Sequence, residues 1–265
     1  MDERKSNAKN FGPGQRQEEI AEYVTKEGFV SAKYLSSVYG VSMMTIYRDF
    51  DELQQQGVIR RERGVATPQP SSLFESNIRY RMRNAVEEKD TLCRRAFQEI
   101  KAGQAVMFDD STTMLPLARM LARSGALRPL TVITNFRIAL EEMSDARELR
   151  LLCLGGEYYA NHGSYGGVIC EAAIRSLRPD LLFVSTSAVS DGAALHQDPE
   201  TVRTKRAMLS VARRKILLID HGKLGKSALH HLVPLSDFDL VLVDAGAPQS
   251  ALAELRDSDA TYEVV

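Results

Sequence analysis

The stretch Gly40-Val41-Ser42-Met43-Met44-Thr45-Ile46-Tyr47-Arg48-Asp49-Phe50 constrains the amino-terminal part of the chain more than any other. Glycine supplies a turn that side-chain-bearing residues resist, and serine is a good helix cap, so a helix is predicted to start just after Ser42. Ile46, Phe50 and Leu53 then fall at i, i+4 and i+7 on one apolar face. The opposite first-turn surface is left to Ser42, Met43, Met44, Thr45, Tyr47 and Arg48, in the positions a helix-turn-helix presents to base edges in the major groove. An ordinary αα-hairpin would carry the same turn. The context separates the two readings. Gln15 to Gly28 reads as a preceding helix with Ile20, Tyr23 and Val24 inward, and Ser31 to Tyr39 as a second with Leu35 and Val38 inward. After the third helix come a short strand, Val58 to Arg61, and its return, Arg63 to Ala66, a wing that places Arg60, Arg61 and Arg63 to meet phosphates. A winged helix-turn-helix bound to double-stranded DNA is predicted.

Bulk charge is not the source of that binding, because the chain carries a formal net charge of −1. Local placement of Arg48, Arg60, Arg61 and Arg63 must do it, and so small a footprint predicts a homo-oligomer, a dimer or tetramer that engages linked half-sites. With 265 residues, 44% of them hydrophobic, the chain can bury a core in each of two domains. No apolar run is long enough for a bilayer span, and residues 1–10 are polar and unlike a secretory signal, so a cytoplasmic protein is expected. Cys93, Cys153 and Cys170 are widely spaced and read as reduced structural thiols. Neither they nor the histidines, with His230 and His231 adjacent, have metal-ligand spacing, and no metal or cofactor is expected.

Two prolines and two serines in Thr67-Pro68-Gln69-Pro70-Ser71-Ser72 break helical and strand patterns alike and mark a linker. The expected organisation is a DNA-binding domain over 12–66, a linker over 67–84, and a second domain over 85–250. After a helix from Glu87 to Ala102, apolar strands alternate with helices: 104–108, 130–134, 149–154, 181–185, 215–220 and 240–244 are strands. Nearly continuous apolar strands separated by helices predict an α/β domain with a mostly parallel sheet buried on both faces. The last twenty residues read only as a short polar helix and tail.

Ligands of such sheets bind beyond the carboxyl ends of the strands. There the sequence places Asp109, Ser111, Thr112 and Thr113, then Thr134 and Asn135, Gly155 and Gly156, Ser185 and Thr186, and finally Asp220 and Lys223. Each group alone could be serving a cap or a turn. Five in register point to one ligand site, to which Lys205 and Lys223 would add positive charge.

Along nearly its whole length the chain resembles the DeoR family of bacterial transcriptional regulators. The family's Val-Ser-x-x-Thr-Ile-x-Arg-Asp is matched by Val41 to Asp49, with Leu53, Gly57 and Arg60-Arg61 at fitting distances. Its sensor motifs are matched by Glu88-Lys89, Asp109 to Thr113, Thr134-Asn135, Gly155-Gly156, Lys205-Arg206-Ala207-Met208, and Asp220 with Lys223. The resemblance implies a sensor domain similar in fold to ribose-5-phosphate isomerase, a phosphorylated sugar or related metabolite as effector, and a role as a repressor of carbohydrate genes. Three positions depart from the pattern. Tyr47 replaces an arginine, so one phosphate or base contact is lost or remade. Arg63-Gly64-Val65-Ala66 replaces His-Gly-Gly-Ala and adds a charge to the wing. Ser111 replaces a glycine, and if that position needs a positive φ the loop must be reshaped. The alternative function, a sugar-phosphate isomerase fused to a DNA-binding domain, needs a carboxylate base after strand 181–184. Ser185-Thr186-Ser187 stands there, and Asp191 reads as part of an Asp-Gly turn, so an enzyme is not expected.

Overall fold

The computed structural model describes residues 12–69, 76 and 78–265. The chain divides after Asn77 into an amino-terminal and a carboxy-terminal unit.

The amino-terminal unit runs α1 (Pro13–Glu27), β1 (Val30–Ser31), α2 (Ala32–Tyr39), α3 (Met43–Gln55), β2 (Ile59–Glu62) and β3 (Val65–Pro68). Its boundaries follow from local chemistry. Gly28 and Gly40 end α1 and α2 in the left-handed conformation, while Ser31 and Ser42 cap α2 and α3 by accepting from the amides three residues on. Ile20, Val24, Leu35, Ile46, Phe50, Leu53, Ile59 and Ala66 form the buried core. Val38 is not part of it. The inward stripe of α2 passes through Ala32 and Leu35, and Val38, 46% exposed, lies to one side of that stripe. β2 and β3 form a hairpin with register Glu62↔Val65, so Arg63 and Gly64 are a two-residue loop, and both have positive φ as that tight turn requires. β1, which the sequence reading left out, pairs with β3 and makes the wing three-stranded.

Residues 67–84, read from the sequence as a linker, are not uniform. Thr67 and Pro68 belong to β3, and α4 (Ile78–Arg83) is helical and belongs to the second unit. Pro70, Ser71 and Ser72 lie outside the described residues.

In the carboxy-terminal unit the chain continues through α5 (Val86–Phe97), β4 (Ala105–Phe108), α6 (Leu115–Arg123), β5 (Leu130–Thr134), α7 (Arg137–Met143) and β6 (Leu149–Cys153). A short hairpin, β7 (Glu157–Tyr159) and β8 (Ser164–Gly166), leads to α8 (Gly167–Arg175) and β9 (Leu181–Val184). There follow β10 (Ala188–Ser190), β11 (Ala193–His196), α9 (Pro199–Val211), β12 (Arg214–Ile219), β13 (His230–Pro234), β14 (Leu240–Val243), α10 (Gln249–Asp257) and β15 (Tyr262–Val264). The main sheet has seven strands in the order β15-β14-β12-β9-β4-β5-β6, and every pairing in it is parallel.

Alternate residues of each central strand enter separate cores. Val106, Phe108, Phe183 and Leu218 join one with α5 to α7, and Met107, Leu182, Val184 and Leu217 join another with α8 to α10. The strand order reverses between β4 and β9. From β4 the chain adds β5 and β6 on one side, and from β9 it adds β12, β14 and β15 on the other. A crevice beyond the carboxyl ends of the strands opens at such a reversal.

Candidate functional site

On α3, Ser42, Met43, Met44 and Arg48 are exposed and Thr45 and Tyr47 are half-buried, so the sequence-predicted surface faces outward. Ser42 and Thr45 also share a hydroxyl contact of 2.9 Å that fixes the first turn. The opposite side of α3 is anchored by an ion pair. Arg16 donates to both carboxylate oxygens of Asp49, at 2.6 and 3.1 Å, and Gln17 adds a third bond at 3.1 Å. Both charges are buried, and the hydrogen bond from Arg16 accounts for the upward shift of that guanidinium. The bidentate geometry suits arginine rather than lysine. Asp49, whose role was not evident in the sequence, holds the helix whose outer face is offered to a partner.

The wing arginines differ from one another. Arg61 is engaged by Asp51 at 2.6 Å and lies 5.3 Å from the centre of the Tyr47 ring. Arg60 pairs with Glu62 at 2.8 Å. Among the described residues Arg48 and Arg63 carry no ion pair. The Tyr47 phenol comes so close to Gly64 that a Cβ there would lie 3.2 Å from its oxygen. Tyr47, standing where an arginine was expected, therefore packs the wing tip against α3.

In the second unit the strand ends converge at the sheet reversal. Asp109, fully buried after β4, accepts from the Ser185 amide at 2.9 Å, from the Ser111 amide at 3.0 Å, and from Lys205 of α9. Lys205 also donates to the Ser185 carbonyl at 3.1 Å and lies 3.6 Å from Asp110. Asp110 accepts from Ser164 at 2.7 Å. Burial would raise its pKa, yet Lys205, His162 and the Ser164 hydroxyl hold it below the usual carboxylate range. Lys223 donates to Ser185 Oγ at 2.8 Å, lies 3.1 Å from Asp220 and reaches Thr113 Oγ1 at 3.5 Å. Asp220 is also depressed: burial raises its pKa, but Lys223, together with Lys89 and Lys226, more than offsets that. Asp109, Ser111, Thr113, Ser185, Lys205, Asp220 and Lys223 thus form one connected group.

The remaining predicted residues take other places. Thr112 donates to the Arg81 carbonyl at 3.3 Å, and Thr186 to the Leu195 carbonyl at 2.5 Å. Thr134 accepts from the Phe136 amide at 3.0 Å, and Asn135 donates to the Tyr165 carbonyl at 2.7 Å. Gly155 and Gly156 are exposed beside the edge strand β6, and a Cβ on Gly156 would fall 2.3 Å from the Gly166 carbonyl. Close backbone packing accounts for that glycine. Ser111 has φ −76° and ψ 143°, ordinary extended backbone, so replacing glycine imposes no left-handed strain on the loop.

Several groups at this end of the sheet lie outside the ligand set predicted from the sequence. Lys89 on α5 is buried and donates to the carbonyls of Arg81 and Asn84, both at 2.5 Å. Burial, reinforced by the nearby charge of Lys223, brings its pKa down to about 7. His162 in the β7–β8 turn meets Asp198 at 2.8 Å, and that bond holds Asp198 far below the carboxylate range. His221 meets Asp244 at 2.7 Å and is raised by the contact. The sequence reading carried Lys89 only within the Glu88-Lys89 family match and gave no sign of the His162–Asp198 and His221–Asp244 pairs. Among the described residues no cluster of three or more His, Cys, Asp or Glu could hold a metal ion, and no helix is long and apolar enough to cross a membrane.

Family models match both units: a DeoR-like helix-turn-helix domain over residues 16–70 and a DeoR C-terminal sensor domain over residues 84–245. The chain is 32% identical over 254 residues to the glycerol-3-phosphate regulon repressor of Escherichia coli (strain K12), covering 94% of this chain and 98% of that one. It is 28% identical to the lactose phosphotransferase system repressor of Staphylococcus aureus (strain N315), covering 87% of this chain and 91% of the other. Among solved structures, a D-ribose-5-phosphate isomerase in complex with phospho-erythronic acid aligns with 53% of this chain and 54% of its own at 12% identity and a TM-score of 0.40. The full-length sorbitol operon regulator SorC of Klebsiella pneumoniae covers 93% of this chain and 100% of its own, at 10% identity and the same TM-score. At those scores neither structural likeness bears on function.

Proposed function

The chain belongs to the DeoR family of transcriptional regulators, and on that premise we propose that it represses carbohydrate-metabolism genes under the control of a phosphorylated sugar or related metabolite. Operator DNA is bound by Ser42, Met43, Met44, Thr45 and Arg48 of α3 in the major groove and by Arg63 at the wing tip on phosphate. Tyr47, Arg60 and Arg61 support the wing and add polar contacts at its base. The observation that carries this reading is the two-sidedness of α3. One side is sealed by Ile46, Phe50, Leu53 and the buried Asp49, and the other presents residues free to meet base edges.

The effector lies at the β4–β9 reversal. Lys223, with the Thr113 hydroxyl and the nearby Lys89, supplies cationic and donor groups for a phosphate. The carboxylates of this site are already engaged by lysines and amides, so no free base is placed to move a sugar proton. Asp191 lies in the two-residue β10–β11 turn with φ 51°. This favours sensing over isomerisation. The carboxy-terminal units self-associate, two or more wings then engage repeated half-sites, and the effector shifts that arrangement by binding its two forms unequally.

Fluorescence anisotropy on DNA from upstream of the protein's own gene, titrated with free and phosphorylated sugars at fixed salt, tests the proposal. Saturable binding that one phosphorylated compound shifts about tenfold, or about 1.4 kcal/mol of coupling, is the expected result. Saturable binding that none shifts would sink the effector half of it.

A further inference from the structure

Two buried polar atoms at the carboxyl ends of neighbouring strands have no hydrogen-bond partner among the described residues: Ser111 Oγ after β4 and Asn135 Oδ1 after β5. The strands are in register as Phe108↔Thr134, so the two residues follow adjacent ends of one sheet. The Asn135 amide is fixed in orientation. Its Nδ2 donates to the Tyr165 carbonyl at 2.7 Å while its backbone oxygen accepts from the Tyr165 amide at 3.0 Å. Flipping the group would set oxygen against oxygen. Ser111 is held through its backbone, whose amide donates to Asp109 and whose carbonyl accepts from Met114, and its hydroxyl is left over. Buried polar atoms without partners are uncommon in folded proteins, and a ligand that completes them is one reason for their persistence.

The chemistry of these two atoms selects the group that would complete them. An amide oxygen needs a donor, and a serine hydroxyl can give or accept. An ionised phosphate offers only acceptors, which the fixed Asn135 oxygen cannot use, and the carboxylates of Asp109 and Asp110 flank this end of the crevice beside Lys205. An alcohol offers both a donor and an acceptor without charge. We propose that Ser111 and Asn135 form a hydroxyl-reading subsite for the polyol part of the effector, with its phosphate toward Lys223. Ser111 sets which hydroxylated compound is accepted. This rests on the effector reading above and adds the orientation of the ligand and the residue that discriminates. It also gives Ser111 a use where the family loop has glycine.

Calorimetric titration of the full chain with glycerol 3-phosphate, ribose 5-phosphate, 2-deoxyribose 5-phosphate and inorganic phosphate tests it. At least one polyol phosphate should bind the wild type about tenfold more tightly than inorganic phosphate, the difference a hydrogen bond or two confers. Ser111→Ala should erase that margin and leave inorganic phosphate unchanged, and Ser111→Thr, which keeps a hydroxyl, should preserve it. The ligand-free melting temperature of Ser111→Ala should not fall, since the deleted hydroxyl has no partner to lose among the described residues. An unaltered preference in Ser111→Ala, with Lys223→Ala losing all binding, would overturn the subsite and leave the effector reading standing. If no probe binds the wild type, the effector reading fails and the subsite with it.

Discussion

Each unit of the molecule buries a cation against an aspartate, and the two pairs have different surroundings. In the DNA-binding unit Arg16 and Asp49 satisfy each other in bidentate fashion, with Gln17 completing the set. In the sensor unit Lys205 and Asp109 meet at the sheet reversal, where a hydroxyl and an amide oxygen at the ends of β4 and β5 find no partner among the described residues. Buried charge therefore does not by itself mark a ligand site. Unfinished hydrogen bonding beside the charge is what the proposed effector site adds, because a closed pair has nothing left to offer a ligand.

The largest expected effects come from opening either pair. Asp49→Ala strands a buried guanidinium and should cost about 3–5 kcal/mol, abolishing DNA binding while the sensor unit keeps its unfolding transition. Urea denaturation followed by circular dichroism would read this. Lys205→Met should cost the sensor unit a comparable amount, because it leaves the buried Asp109 charge with only the Ser111 and Ser185 amides to meet it. Replacing whole pairs sharpens the contrast. Arg16→Met with Asp49→Leu should recover most of the lost stability together with operator binding. Lys205→Met with Asp109→Leu should recover less, because the Ser111 and Ser185 amides lose their acceptor, and should lack the effector response. Effector-dependent anisotropy on both double variants distinguishes a structural pair from one that belongs to a site. For the same reason Asp109→Ala is a folding lesion, and Lys223→Ala is the cleaner probe of ligand binding.

Smaller effects follow. Arg48→Ala should reduce the slope of log affinity against log salt by about 0.9 if its partner is one phosphate, as measured by anisotropy at several salt concentrations. Lys89 titrates near 7 in the folded chain, so between about pH 7 and the ordinary lysine value of about 10.4 the unfolded chain holds one proton more. Sensor stability should therefore gain from Lys89 as pH rises through that window. Relative to wild type, Lys89→Met should lose that gain in melts at pH 7 and pH 9.5. Asp51→Asn, which releases Arg61 from an exposed pair, should change stability by no more than about 1 kcal/mol in chemical denaturation.

The parts of this architecture that were legible in the sequence are those with strong periodicity. The i, i+4, i+7 stripe of α3, its serine cap and the apolar runs of β4, β5, β9, β12 and β14 each specify one answer locally. The β7–β8 hairpin, the small β10-β11-β13 sheet and the edge strand β15 were not legible, since they are short and, unlike β4, β9 and β14, are not continuous apolar runs. Strand-end residues could be located because they directly follow apolar runs. Their partners could not, and the pairing of Lys205 with Asp109 spans 96 residues with no local signal. Val38 shows the opposite error, an apolar residue near a helical stripe that stays at the surface.

The reversal of strand order between β4 and β9 also bears on how a new chain matures. The Ser185 amide that closes the site on Asp109 lies 76 residues away in sequence, whereas the Arg16–Asp49 pair spans 33. Distant pairings are made slowly, and an amino-terminal domain leaves the ribosome first. On that order the helix-turn-helix unit closes its own ion pair while the strand-end cluster still waits for β9 and β12 to be synthesised.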